Sequence, residues 1–321
     1  MSHVNATRLS KVKFRAPDLD RMQHFLTEFG LVLGSRDARV LRMSGHGDSD
    51  CIHLTELGEP AFVGFGLEVP DDDALDHLAF QTQKQVDDTE HKRTLLLSDP
   101  DGYEIAVTAE SREAPSLGEQ SAPKINYPNA TNRISETKRR FSGPSHVMRL
   151  GHVVLNVASF RESESWYKSH FGFLTSDEIE LEPGVSIGAF MRLNVGNTAT
   201  DHHSLFLLEA PGDPSFNHAA FEVSDVDDLM TGHDHLRRNG REHSWGVGRH
   251  ILGSQVFDYW KDPWGHELEH FSDGDRFVAS NQPNVATLDD LLGVQWGDIH
   301  PLMRAAEESA VSYTHLRAHE T

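Results

Sequence analysis

The chain has 321 residues, 37% of them hydrophobic and 25% charged, with a formal net charge of -21 at pH 7. That length accommodates two domains, each with its own core, and the composition is that of a folded protein, not a disordered one. The acidity argues against nucleic acid or an anionic membrane as partner, the single Cys51 rules out an intrachain disulfide, and no apolar run reaches the roughly 20 residues of a spanning helix.

In chain order, "LSKVKFRAPDLDRMQHFLTEFGL" (9–31) reads as a strand running into a helix. "LDHLAFQT" (75–82) and "SDPDGYEIAV" (98–107) follow. Residues 108–147 are rich in Ser, Pro, Asn and Arg without a sustained apolar period, and 111–147 is expected to be a linker. The plan then repeats. "LGHVVLNVASFRESESWYKSHFGF" (150–173) parallels the first block, "FNHAAFEV" (216–223) the second and "KDPWGHELEH" (261–270) the third. Two of these pairs are 141 residues apart and the third is 163, so one insertion in a duplicated domain accounts for the order.

Within the second copy, Ser159 is expected to cap a helix with Trp166 and Tyr167 on its buried side and a left-handed stop at Gly172. Ser224 is expected to cap another, with Val226, Leu229, Met230, His233 and Leu236 at helical spacing and an end near Gly240. Each half is thus two βα units followed by hairpins, and the whole an α+β protein of four small modules. A short apolar helix is expected at "TLDDLLGVQW", packing on the second domain. Val311–Thr321 looks like a translated sequencing adapter and carries no weight here. No charged-then-apolar leader opens the chain, so a cytoplasmic location is expected.

Set against each other, the repeats differ at their polar strand positions. His152, His218 and Glu269 stand where the first copy has Lys11, His77 and Ala106. Two imidazoles and a carboxylate on one side of a metal leave the other side open, which suits non-haem Fe(II) and O₂ chemistry. If the turn loop is Pro263–Gly265, Tyr259 falls opposite Glu269 with Cβ atoms about 5 Å apart. A two-residue loop would shift that register by one.

These residues resemble the type I extradiol ring-cleaving dioxygenases of the vicinal oxygen chelate superfamily, from about residue 8 to 277 and most strongly in the second half. "GHVVLNV", "FNHAAFEV" and "DPWGHELEHF" match the three ligand strands; "DHHSLFLL" (201–208) and "GRHILGSQVFDY" (248–259) match the surrounding site. The resemblance implies tandem vicinal oxygen chelate domains at 1–110, without a metal site, and 148–277, catalytic, each of two βαβββ modules forming a partly open barrel. Residues 278–310 form a C-terminal segment. It further implies Fe(II), with Mn(II) accepted by the same ligands, held by His152, His218 and Glu269. His203 would act as acid and base, and His250 and Tyr259 would hydrogen-bond the substrate; a one-residue slip would place His202 inward instead. The partners implied are an aromatic diol and O₂, in a homo-oligomer. Two other readings stay open: a glyoxalase- or epimerase-like metalloenzyme of the same superfamily, and a resistance protein that binds an aromatic drug without turnover.

Overall fold

The computed structural model describes residues 4–47, 51–89, 92–110, 124–139 and 142–304; the adapter-like tail and parts of the linker lie outside them. The first half contains β1 (Arg8–Ala16), α1 (Leu19–Phe29), β2 (Val32–Arg36), β3 (Val40–Ser44), β4 (Cys51–Leu57), β5 (Ala61–Val69), α2 (Asp72–Thr82), β6 (Val86–Thr89), β7 (Lys92–Ser98) and β8 (Glu104–Ala109). The second contains β9 (Val147–Asn156), α3 (Phe160–Phe171), β10 (Leu174–Glu182), β11 (Val185–Arg192), β12 (Thr200–Asp201), β13 (Leu205–Leu208), β14 (Ser215–Val223), α4 (Val226–Arg238), β15 (His243–His250), β16 (Val256–Lys261) and β17 (Glu267–Ser272). After these come β18 (Arg276–Phe277), β19 (Asn284–Thr287), α5 (Leu288–Leu292) and β20 (Val294–Gly297). None of the described helices is long and apolar enough to cross a membrane.

The duplication is visible in the sheets. One runs β2-β3-β4-β1-β5-β8-β7-β6, and the other β10-β11-β13-β9-β14-β17-β16-β15 with β19 and β20 added at its two ends. In each half, two βαβββ modules join through an antiparallel pair, β1 with β5 and β9 with β14. The C-terminal segment therefore passes from one margin of the second sheet to the other, β19 pairing β10 and β20 pairing β15, with α5 between them.

The middle block of the repeat differs from expectation. Residues 75–82 belong to α2, whereas 216–223 is strand β14, so His77 is not the counterpart of His218. The counterpart strand is β5. Its Gly64 pairs with Glu104 as His218 pairs with Glu267, which makes Gly64 the structural equivalent of His218. The first half thus offers Lys11, Gly64 and Ala106 where the second offers His152, His218 and Glu269.

Caps also depart from the sequence reading. α4 is capped one residue later than expected, by Asp225, whose carboxylate accepts the Asp228 N–H at 2.8 Å; a carboxylate suits the positive helix end better than the Ser224 hydroxyl. Ser159 occupies the cap position of α3 but its hydroxyl makes no capping bond, and Glu209 accepts the Phe160 N–H at 2.8 Å instead. Gly172 ends α3 at φ 66°, a left-handed conformation glycine adopts without steric cost. Tyr167 is buried as expected and donates its hydroxyl to Asp99 of the first half at 2.8 Å.

The halves share one continuous core. At their junction Phe14 packs against Phe62, Phe216 and His266, and the His53 ring stacks on Phe14 at 4.9 Å. Burial pushes the pKa of His53 down to about 4, against the pull of Asp262. The unfolded chain, with a histidine near 6.5, then binds more protons than the folded one between those values. Stability is full above about pH 6.5 and falls by about 3 kcal/mol from this group as pH drops toward 4. Thermal melts of wild type and His53→Phe across pH 7 to 4.5 check this: the variant is expected to lose less Tm on acidification. Parallel slopes would show that His53 does not drive it.

Candidate active site

Three neighbouring strands of the second sheet build the centre. In the β9–β14 ladder Ala220 pairs with His152, and in the β14–β17 ladder Ala220 pairs with Glu269. Paired residues face the same side of a sheet, and His218, two residues from Ala220, faces it too. Ala220 is fully buried and contributes only a methyl, which lets His152 and Glu269 reach over it toward each other. His152 Nε2 lies 3.1 Å from Glu269 Oε2, His218 Nε2 3.3 Å from the same oxygen, and the two imidazole nitrogens 3.4 Å apart. Ala220→Leu is expected to fill that gap, abolish Fe(II) uptake at this centre and destabilise by about 1–3 kcal/mol through overpacking. Metal content and Tm measured on one sample check it.

That triangle has the dimensions of donors around one divalent cation, since neighbouring ligands on bonds of about 2.1 Å stand about 3 Å apart. His218 Nδ1–H donates to Asn217 Oδ1 at 2.8 Å, which fixes the ring with its Nε2 lone pair toward the cluster. Glu269 is wholly buried, and its Oε1 has no hydrogen-bond partner. A buried carboxylate oxygen left unpaired is costly unless a cation satisfies it. Burial alone would raise the Glu269 pKa, but His152 and His218 outweigh it and hold the group well below the usual carboxylate range. The residues present therefore fit a metal ion.

Three further residues surround this centre. The His203 ring lies 4.1 Å from His152 and faces the cavity, whereas His202 points away. His202 Nε2–H donates to Asp177 at 2.5 Å, and its Nδ1 sits 3.0 Å from His203 Nδ1. With His202 protonated at Nε2, His203 donates from Nδ1 and keeps its Nε2 lone pair free. Burial, then the neighbouring imidazoles, push the His203 pKa well below the usual histidine range, so the ring is neutral. His250 ends β15, Tyr259 lies on β16, and the turn between them passes through Gly253 at φ 77° and Ser254 at φ 57°. That bend brings His250 Nε2 to 3.1 Å from the Tyr259 hydroxyl. The Tyr259–Glu269 pairing is present, with the turn amides of Trp264 and His266 bonded to Asp262. Burial and the Glu269 charge raise the Tyr259 pKa well above the ordinary phenol value, so the phenol keeps its proton.

All six side chains except Glu269 line a cavity of about 450 Å³ whose far wall includes Val154, Phe190, Phe206, Leu208 and Leu252. Leu291 and Leu292 of α5 line it as well, so the C-terminal segment forms part of its wall. The sequence reading missed Asp177 and Asn217, which orient the histidines. Asn217 adjoins a candidate ligand and was open to suspicion; Asp177 reaches His202 only through the fold.

Comparison with known proteins agrees with this architecture. The Glyoxalase/Bleomycin resistance protein/Dioxygenase superfamily matches residues 149–270. Metapyrocatechase 2 of Cupriavidus necator is 28% identical over 295 residues, covering 88% of this chain and 86% of that protein. Biphenyl-2,3-diol 1,2-dioxygenase of Pseudomonas sp. (strain KKS102) is 26% identical over 299 residues, covering 87% and 93%. Among solved structures, the Mn(II)-bound glyoxalase from Novosphingobium aromaticivorans superposes with a TM-score of 0.73 at 21% identity, covering 93% of this chain and 94% of that one; it speaks to the fold. Residues 149–270 thus match the Glyoxalase/Bleomycin resistance protein/Dioxygenase superfamily, and the relatives similar over most of the chain are named as dioxygenases of aromatic diols.

Proposed function

We propose that this chain opens the ring of a catechol-type aromatic diol beside its hydroxyl-bearing carbons, consuming O₂, at Fe(II) held by His152, His218 and Glu269. The reading rests on one observation above others: three donor atoms within 3.4 Å of one another, with His203, His250 and Tyr259 around the same cavity. Fe(II) bound there would supply adjacent open positions for a diol and O₂ and the redox capacity to join them. Mn(II) suits the same donors.

The protein's own groups do the remainder. The apolar wall holds the ring and excludes water, strengthening each polar contact inside. His203 Nε2, left unprotonated by the hydrogen bond at its other nitrogen, takes a proton from a substrate hydroxyl and later returns one. His250 and Tyr259, already hydrogen-bonded to each other, present a phenol proton to the oxygen that gathers negative charge. On this reading 148–277 is the catalytic unit, the described part of 278–310 adds to the cavity wall, 111–147 is the linker and 1–110 lacks donors at the equivalent positions.

The test loads the protein anaerobically with Fe(II), adds a panel of substituted catechols and admits air. A yellow ring-opened product with one O₂ consumed per diol, lost in His152→Ala, is the expected result. Tight binding of aromatics without O₂ uptake in the metal-loaded wild type would overturn the proposal in favour of a binding protein.

A further inference from the structure

A second group of metal-binding side chains lies on the other face of the hairpin that carries Tyr259. Asp258 and Tyr259 are successive residues of β16 and so project to opposite faces. Tyr259 faces the cavity, whereas Asp258 faces α4, where it meets His233, and the start of β15, where it meets His243. His233 Nδ1 lies 3.1 Å from Asp258 Oδ1, and His243 Nε2 lies 2.8 Å from that same oxygen. The other carboxylate oxygen accepts the Trp260 indole N–H at 2.6 Å, which fixes the carboxylate plane. Donor atoms of the three residues lie within 4.8 Å of one another.

From this convergence we infer that His233, His243 and Asp258 form a second, structural Zn(II) site, distinct from the catalytic centre. Charge and chemistry both favour a cation. Asp258 is fully buried, and among the described residues its partners are imidazoles and an indole, with no lysine or arginine in ion-pair reach. A divalent ion compensates a buried carboxylate more completely than hydrogen bonds alone do. Two imidazole nitrogens and a carboxylate oxygen make a donor set of the zinc kind, and the Trp260 N–H is the outer hydrogen bond such ligands usually have. Access is available through His243, whose side chain is 28% exposed, while His233 and Asp258 are closed off. The ion joins α4, β15 and β16, the last two of which carry His250 and Tyr259. It thereby braces the hairpin from behind without touching substrate.

The site is independent of the proposed ring cleavage, and its test reads metal, not turnover. The full chain is stripped with chelator and equilibrated with Zn(II) buffered by nitrilotriacetate, and bound zinc is counted by atomic emission. Wild type is expected to hold two ions per chain; His243→Ala, one; and the double variant His152→Ala/Glu269→Gln, also one. Zinc should raise the Tm of that double variant, and adding His243→Ala should remove the rise. Should His243→Ala not fold, the double variant still decides the matter: with Co(II) it should show one equivalent of visible d–d absorption. The inference is overturned if wild type and His243→Ala bind equal zinc, or if the His152→Ala/Glu269→Gln variant retains none.

Discussion

Glu269→Gln is expected to cost this protein its metal and more than about a hundredfold of its ring-cleaving activity while leaving the apo fold intact. The two effects separate because of where Glu269 sits. Its carboxylate is fully buried between two imidazoles, so in the apo protein it is a charge removed from water and only partly compensated. Glutamine keeps the volume and discards the charge, so no buried carboxylate is left in need of compensation. The apo Tm should therefore stay level or rise. The metal-loaded wild type, by contrast, gains about 2.7 kcal/mol when free metal exceeds its Kd a hundredfold, visible as a few degrees in Tm. Melting both proteins with and without Fe(II) or Mn(II) checks this. A variant that still shows the metal-dependent rise would remove Glu269 from the ligand set.

How much of this was legible beforehand depended on whether local chemistry or chain topology decided the point. The Tyr259–Glu269 pairing was readable because Asp262, Pro263 and Gly265 determine the turn, and turn length determines register. His203 over His202 was selected by resemblance alone; the structure separates them by giving His202 a carboxylate partner and His203 a cavity. The middle repeat went wrong for a physical reason. Gly64, the true equivalent of His218, carries no side chain, so the matching strand had lost the residue that would have identified it, and a histidine on α2 drew the alignment instead. The offset between halves thus grows in two steps, 141 then 154 then 163, not in one. The C-terminal segment was foreseen as a short helix, but its passage between both margins of the sheet depends on pairings with β10 and β15 that no local pattern encodes.

His203→Phe should lower kcat by about 10² to 10⁴ with metal content unchanged, the range for losing a positioned proton-transfer group. Phenylalanine preserves the packing against Phe190, whose ring lies 4.7 Å away, so the loss would report chemistry and not collapse of the cavity. Asp177 and His202 extend the argument. Asp177 accepts from His202 and is itself bonded by Asn284 of β19 at 3.0 Å, so the carboxylate that sets the His202 tautomer is held by the C-terminal segment. Removing the relay leaves His203 in place but no longer commits its free nitrogen to the substrate side. Asp177→Asn should therefore cost kcat less than His203→Phe, about 10- to 100-fold, with KM for the diol nearly constant because the apolar wall is untouched. In the double variant the two losses should not add, because both remove the same proton path. Steady-state kinetics on the four proteins decide it. Fully additive losses, or a rise in KM without a fall in kcat, would show that Asp177 acts on packing and not on His203.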